Sequence, residues 1–302
     1  MISRPSLFLT AVALGVSVFA LSSAPASAQT APTPAPAASG RHTVVSQAYD
    51  GKTHLTFTPY VWLPTANGTF QFNVPNHPNA GGGHTLSTLN AQVGPNSYLN
   101  NINFALMGAV ELRKDDVGVY GDVITLNVSS GATFITDVSG PFGHVHVPVD
   151  AGTSGRVSAT VWEAGGDYTI WHNDNADIQF LTGWRQIRVT GNFDYNVDIG
   201  KNQQFMRSGS VATHTNVGDV VFGFKGKVAI GDGGWFVPYY IDYGVGAPSN
   251  NTWQAFTGVG KASRGGSFLL LFRDVNYDFA PGASPIQKLR LGGPLVGYTF
   301  NL

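Results

Sequence analysis

The chain has 302 residues, a formal net charge of −1 and a sequence pI of about 6.7, so it lacks the basic excess expected of a nucleic-acid-binding protein. Charged residues make up 12% of it, against ~25% in typical soluble domains. Glycine is frequent, with 38 residues, and cysteine is absent, which excludes disulfides, cysteine-based zinc sites and cysteine nucleophiles. This composition is typical of short β-strands joined by turns.

Residues 1–28 have the features of a secretory signal peptide. Arg4 gives a positively charged start, and the apolar run 7–21 is shorter than the ~20 residues that a membrane-spanning helix needs. Ala26, Ser27 and Ala28 form a small-x-small cleavage site, so we predict Sec export and cleavage after Ala28. No later run is long and apolar enough for a spanning helix, so a membrane-embedded mature chain has to be a β-barrel.

Residues 29–52 are rich in alanine, proline, serine and threonine. Pro32, Pro34 and Pro36 exclude a regular helix or strand here. We therefore expect a disordered periplasmic tail at 29–52, followed by the barrel at 53–302.

From His54 onward the apolar residues recur with a period of two, which is typical of strands with one apolar face. We predict a transmembrane antiparallel up-and-down β-barrel of about ten strands, with eight or twelve as alternatives. The first strand starts at His54 and is interrupted before Phe70. The others lie at about 102–113, 117–128, 156–171, 177–197, 208–230, 235–246, 251–262, 267–278 and 288–302.

The connections between these strands alternate in length. Bacterial barrels alternate short periplasmic turns with longer outer loops, so this pattern predicts that both chain ends are periplasmic. The short connections are 113–116, 172–177, 231–234 and 261–266, and the long ones are 74–100, 131–154 and 197–207.

If the apolar faces contact lipid, most charged strand residues point into the lumen. Their signs are mixed and nearly balanced, so in a narrow barrel they can satisfy one another. We therefore expect a charge network that fills the lumen. Its members are Glu111, Arg113, Asp122, Glu163, Asp167, Arg185, Asp219, Lys225, Lys227, Asp242 and Arg273.

The last strand alternates strictly and ends on an apolar residue, as expected of a strand that closes a barrel in lipid. Tyr298, Phe300 and Leu302 share its apolar face. We interpret these three residues as the signal that the barrel-assembly machinery recognises.

Six segments together resemble an uncharacterised family of proteobacterial outer-membrane β-barrel proteins, over most of 53–302. The resemblance implies a barrel in the Gram-negative outer membrane and supplies no catalytic residues. The chain departs from it in ending on Leu302, where such barrels usually end in phenylalanine. The segments are LTFTPYVWLP (55–64), NINFALMGAVELRKDDVGVYGDVITLNVS (101–129), GGDYTI (165–170), DVVFGFKGK (219–227), TWQAFTGVG (252–260) and GGPLVGYTF (292–300).

Two groups of residues are candidates for chemistry. His144 and His146 share one face of an extended segment and could chelate a metal ion, but only Asp137 or Asp150 offers a further ligand, and solvated loop histidines are the favoured interpretation. A hydrolase would need serine, histidine and a carboxylate together. The residues available for that are His172, and His214 with Ser208, Ser210 and Asp219, without a GxSxG motif.

Three functions follow from these observations. The first is a monomeric, non-enzymatic barrel with a side-chain-filled lumen and no cofactor, whose outer loops contact lipopolysaccharide, the environment or a partner. The second is a porin-like pore for small solutes. The third is an outer-membrane lipid-modifying enzyme, either a hydrolase or an acyltransferase.

Overall fold

The structure of the protein is a computed structural model that describes residues 44–75, 84–130, 137–139, 154–198, 206–247, 249–280 and 286–302. The predicted signal peptide, most of the predicted tail, and the candidate metal ligands His144 and His146 lie outside the described residues. Within those ranges, no helix is long and apolar enough to cross a membrane.

The described chain forms one antiparallel sheet that closes into a barrel. Ten of its strands form the wall in the order β1, β4, β5 and β7 to β13, and pairing between β1 and β13 closes the ring. The predicted all-β barrel of about ten strands is confirmed. The strands are β1 (Thr53–Trp62), β2 (Thr65–Pro75), β3 (His84–Val93), β4 (Ile102–Lys114), β5 (Val117–Ser130), β6 (Asp137–Ser139), β7 (Ser154–His172), β8 (Asp177–Asp198), β9 (Met206–Ile230), β10 (Trp235–Ala247), β11 (Ser249–Ser263), β12 (Gly266–Phe279) and β13 (Ile286–Asn301).

The two faces of the barrel wall differ as the alternation in sequence predicts. On β12, the outward-facing Leu270 and Phe272 are 61% and 56% exposed. The alternate residues Leu271 and Arg273 face the lumen and are buried. The same contrast recurs around the ring because successive Cβ atoms point to opposite faces of a strand. The outer wall is therefore a continuous apolar surface suited to lipid.

Four short turns lie at one end of the barrel, together with the first residue of β1 and the last of β13. We call this the turn end, and the opposite end the loop end. The turns follow β4, β7, β9 and β11, where the sequence predicts them. Gly231 and Gly234 have φ values of +57° and +71°, and Asp115 has φ 51°. These left-handed conformations suit glycine and aspartate.

The region 74–100, expected to be a long connection, is more ordered than predicted. It contains β3 and a short helix, α1 (Pro95–Tyr98). After a break at Leu63 and Pro64, β2 pairs with β13 on one side and with β3 on the other. In turn, β3 pairs with β6. The sequence does not reveal β3 because Leu86 and Leu89 are three positions apart, which breaks the period of two. These three strands extend the sheet at the loop end.

Candidate functional site

The lumen is the only large polar interior in the described part of the chain, and inward-facing side chains occupy it. The charged group nearest the turn end is centred on Arg113. Its Nε atom lies 2.9 Å from Glu111 Oε1, and its Nη2 atom contacts Asp167. The Lys225 ammonium lies 2.9 Å from Asp167 Oδ2 and 3.2 Å from Glu111 Oε2. Two cations and two carboxylates thus alternate in a closed group.

Arg185 occupies the middle of the barrel and is 1% exposed. Its Nε atom lies 2.9 Å from Glu163 Oε2, and its Nη2 atom contacts Asp242. The hydroxyl groups of Tyr120 and Tyr240 donate hydrogen bonds to Glu163 Oε1, at 3.1 and 2.5 Å. One guanidinium therefore joins carboxylates from β7 and β10 across the lumen.

A third group is centred on Arg273 of β12, which reaches Asp122 on β5. Its Nη1 atom lies 2.7 Å from Asp122 Oδ2, and its Nε and Nη2 atoms donate to Gln254 Oε1 at 3.1 and 2.7 Å. The Tyr60 hydroxyl donates to Asp122 Oδ1 at 2.5 Å, and the guanidinium lies over the Trp62 ring at 5.3 Å. The group is therefore held by charge, hydrogen bonds and a cation–π contact.

An apolar cluster fills the lumen toward the loop end. Ile187 is 2% exposed and Val217 is fully buried, although both are lumen-facing. The sequence-based expectation of a polar filling is therefore incomplete, because this cluster adds an apolar layer that excludes water. Its members are Tyr60, Trp62, Ile124, Ile187, Val217, Leu271, Val275, Tyr277, Phe279 and Leu295.

Residues 44–50, the N-terminal strap, enter the turn end of the barrel. We expected disorder through residue 52, but Ser46–Tyr49 forms a 3₁₀ turn and Val45 is fully buried. The Tyr49 hydroxyl donates to Asp177 Oδ2 at 2.8 Å. Burial raises the pKa of Tyr49 above its usual value of 10.0. Apolar and hydrogen-bonding contacts thus order the end of the segment that was expected to be a disordered tail.

Beside the strap is a cavity of about 510 Å³. One wall is aromatic, where Tyr240 and Phe256 stack with ring centroids 4.9 Å apart. Another wall carries hydroxyl groups, among them the paired hydroxyls of Thr58 and Thr299. Lys227 also lines this cavity.

The structure thus brings most of the predicted charged residues together. Lys227 lines the same cavity as Glu111, Arg113 and Lys225, and Asp219 accepts a hydrogen bond from Ser249. Asp177, predicted at the boundary between a turn and a strand, and the uncharged partners of the charged residues were not among the predicted lumen residues. Gln179 and Gln254 could have been found, because each occupies an inward position of its strand.

The residues considered for hydrolase chemistry do not form one group. His214 is exposed on the outer face of β9, near Thr190 at 3.3 Å, whereas Asp219 faces the lumen. His172 lies at the turn end, 4.0 Å from Asp116 Oδ1. The side chains of Ser208 and Ser210 lie outside the described residues. In the described ranges, no group of three or more His, Asp and Glu residues could hold a metal ion.

The three residues of the predicted assembly signal are on the outside of β13. The Tyr298 ring contacts Phe268 and Phe300, each with ring centroids 4.6 Å apart. Leu302 is 74% exposed. The face is accessible from outside the barrel.

No protein-family model and no curated protein matches the sequence. Among solved structures, the outer membrane protease OmpT from Escherichia coli is similar, with a TM-score of 0.52, 8% identity, and coverage of 84% of this chain and 98% of OmpT. The fold is that of an outer-membrane β-barrel. The translocator domain of NalP from Neisseria meningitidis has 11% identity and a TM-score of 0.28, covering 85% of this chain and 92% of that domain. At these identities, the likeness to OmpT concerns the fold alone.

Proposed function

We propose that this protein is an integral outer-membrane β-barrel of a proteobacterial family, monomeric and non-enzymatic, with a closed lumen and a structural or surface-interaction role. The observation that carries this proposal is the occupancy of the lumen. Three arginine-centred groups cross it, and the apolar cluster of Ile187, Val217 and Leu271 lies toward the loop end.

The energetics favour a lumen that stays closed. Opening a water path would separate ion pairs such as Arg185 and Glu163, whose side chains are 1% and 4% exposed. Each such buried charge depends on its partner, since removing one partner of a buried pair costs about 3–5 kcal/mol. A ten-stranded barrel is also narrow beside the 16–18-stranded porins that hold an aqueous channel.

The surface-interaction role is supported by the length of two neighbouring strands, β8 and β9. β8 has 22 residues and β9 has 25, whereas ~9–11 residues of a tilted strand cross a membrane. Their hairpin therefore extends well beyond the lipid at the loop end. Such a wall can contact lipopolysaccharide or a partner.

Single-channel conductance of the refolded protein in planar bilayers tests the closed lumen. We expect no steps above background for the wild type. A double variant, Ile187→Ser with Val217→Ser, weakens the apolar layer and should give more current than the wild type. Discrete conductance steps from the wild-type protein would overturn the proposal.

A small-solute pore is the second candidate, because the cavity of about 510 Å³ occupies part of the lumen at the turn end. If the wild-type protein conducts, Lys225 and Lys227 become the candidates for ion selectivity, since both line that cavity. Reversal potentials of Lys227→Gln against wild type would then measure their contribution.

We place both chain ends in the periplasm, after Sec export, cleavage behind Ala28 and insertion by the barrel-assembly machinery. Because the chain has no cysteine, single-cysteine variants report topology cleanly. An impermeant maleimide should label Asn100→Cys on intact cells but not Arg264→Cys, which lies in a short turn. The reverse labelling would invert the topology. The mass of the mature protein tests cleavage before Gln29.

The lipid-modifying enzyme stays an alternative with a simple test. His172→Ala and His214→Ala should leave the outer-membrane lipid profile unchanged. A shift of that profile in either variant would contradict the non-enzymatic role.

A further inference from the structure

The outer face of β9 shows where the lipid ends toward the loop end. From Ile230 to Val220 its outward positions carry apolar side chains or glycine, over a length that matches the ~9–11 residues of a membrane-crossing strand. The next outward positions are Gly218 and Asn216. Trp184 on β8 is the register partner of Val220 and is 42% exposed, as expected of an interfacial aromatic residue. The lipid boundary therefore lies near Trp184.

Polar side chains begin directly beyond this tryptophan. The Trp184 indole lies against Gly218, where an added Cβ atom would overlap it. Its Nε1 atom donates a hydrogen bond to Gln186 Oε1 at 3.1 Å, and Gln186 Nε2 donates to Asn216 Oδ1 at 2.7 Å. The outer surface thus changes from apolar to hydrogen-bonding within two residues of Trp184.

Cationic side chains follow in the next register rows, which are about 7 Å apart. Arg188 on β8 is the register partner of Thr160 on β7 and of Asn216 on β9. One row further toward the loop end is His214, and one row beyond that is Arg156. All three side chains are exposed on the outside of the barrel. They form a patch across β7, β8 and β9, which we call the arginine patch.

The charges of the arginine patch are not compensated by neighbouring side chains. Arg188 makes no ion pair or hydrogen bond with another described residue, and Arg156 donates a long hydrogen bond to Ser129 Oγ at 3.4 Å. On β12 and β13, by contrast, the outward Arg290 lies 2.5 Å from Asp274. No Asp or Glu side chain faces outward in the part of the structure around the patch, which spans 125–129 of β5, 156–162 of β7, 184–192 of β8 and 214–220 of β9.

We propose that Arg188, Arg156 and His214 bind the phosphate groups of a lipopolysaccharide molecule in the outer leaflet. Two N–H donors of a guanidinium match two phosphate oxygens, so arginine suits this group particularly well. Lipopolysaccharide carries its phosphates on the sugars that follow the acyl chains, and the patch begins directly beyond the apolar surface that contacts those chains. The site rests on the proposed outer-membrane role with the loop end outside, and it names the lipid partner of that role.

The test measures binding of fluorescently labelled rough lipopolysaccharide to the refolded protein in detergent, without divalent cations. Three ligands are compared: intact lipopolysaccharide, the same preparation with its phosphates removed, and phosphatidylglycerol. The wild type should bind intact lipopolysaccharide about tenfold or more tightly than either of the others.

The variant that tests the patch is the double replacement Arg156→Gln with Arg188→Gln. It should bind intact lipopolysaccharide about tenfold more weakly than the wild type, and Arg188→Gln alone should give part of that loss. Arg290→Gln is the matched control, because it removes an exposed outward arginine whose partner is Asp274, and it should bind as the wild type does. All variants should keep the heat-modifiable gel band of a folded barrel, since the replaced side chains are exposed.

Three results would overturn the site. Equal affinity for intact and dephosphorylated lipopolysaccharide would mean that the phosphates are not recognised. Equal affinity for phosphatidylglycerol would mean that any anionic lipid is bound. Equal weakening by Arg290→Gln would assign the binding to net charge rather than to the patch. Because this test uses purified protein, its failure is distinguishable from a failure of the topology, which cysteine labelling on cells measures separately.

Discussion

The phenol ring of Tyr49 lies flat on the imidazole of His172, with ring centroids 4.0 Å apart and planes 7° apart. Tyr49 belongs to the N-terminal strap, and His172 ends β7 at the turn end. The Tyr49 hydroxyl also bonds Asp177, at the start of β8. One tyrosine therefore joins the strap to both strands of a hairpin that lies more than a hundred residues away in sequence.

Replacing Tyr49 should release the strap without unfolding the barrel. In Tyr49→Ala, the stack on His172 and the hydrogen bond to Asp177 are both lost, and Val45 loses its burial when the strap detaches. We expect faster amide hydrogen exchange and protease cleavage at 44–52, with the melting temperature of the barrel nearly unchanged. Gln47→Ala alters an exposed residue of the same turn and should behave as wild type. Unchanged exchange in Tyr49→Ala would show that other contacts hold the strap.

Arg185→Met should destabilise the barrel by about 3–5 kcal/mol, because it leaves the carboxylates of Glu163 and Asp242 buried without a cation. The free energy of unfolding in urea, followed by tryptophan fluorescence in micelles, measures the loss. Arg290→Met breaks an outward pair whose arginine side chain is 59% exposed, so it should cost only about 0–1 kcal/mol. Equal losses in both variants would contradict the central role of Arg185.

Gly260→Ala should destabilise by about 1–3 kcal/mol through overpacking. A Cβ atom at Gly260 would overlap three atoms of the Phe236 ring, which is 5% exposed, so this buried ring would have to shift. Phe236→Leu in the same chain should recover part of the loss, so the two changes should be non-additive. Additive free energies of unfolding for the double variant would rule out this contact as the cause.

Leu270→Arg tests which face meets lipid. Leu270 is 61% exposed on the outer face of β12, and an arginine on the lipid face near the bilayer midplane costs about 2–4 kcal/mol. We expect that loss in vesicles, measured by the free energy of unfolding, and a much smaller one for Leu270→Met. A tolerated arginine would place this face in water.

Tyr98 gives a prediction about alkaline pH. It lies on α1, outside the barrel strands, and donates a hydrogen bond to the Pro64 carbonyl at 2.9 Å. Burial raises the pKa of Tyr98 from 10.0 to about 12. Because the pKa is higher in the folded state, the contribution of Tyr98 is complete below pH 10 and is lost as the pH rises toward 12.

The matching variant is Tyr98→Phe, which cannot ionise. At neutral pH the wild type should be more stable by about 1 kcal/mol, the value of one hydrogen bond. That advantage should shrink between pH 10 and 12, as measured by the free energy of unfolding of both proteins. An advantage that stays constant over this range would contradict the burial of the phenol.

The sequence predicts the barrel wall well because lipid on one side and a lumen on the other impose strict alternation. Along β9, Val220 and Phe222 face outward while Asp219 and Val221 face inward. Tertiary partners are harder to predict, because alternation gives the face of a residue but not its neighbour across the lumen. The pairing of Arg273 with Asp122 depends on how the strands are arranged around the ring.

Two features escaped prediction for physical reasons. The strap lies at the end of the Ala/Pro-rich segment 29–52, and contacts with β7 and β8 order it. The apolar layer forms where the inward-facing positions of the strands are apolar as well as the outward-facing ones. The sequence contains one indication of it, because the run Phe268 to Phe272 is apolar on both faces. Such a run is typical of a strand buried on both sides.

The last strand closes the ring by pairing with β1 at the turn end and with β2 beyond the break at Pro64. The Thr58 and Thr299 hydroxyl groups meet at 2.9 Å across this seam, although 241 positions separate them in sequence. Until β13 is in place, the first strand lacks one neighbour and exposes an unpaired edge that can join another chain. An incomplete barrel therefore carries this open edge until the last strand of the chain has paired with the first.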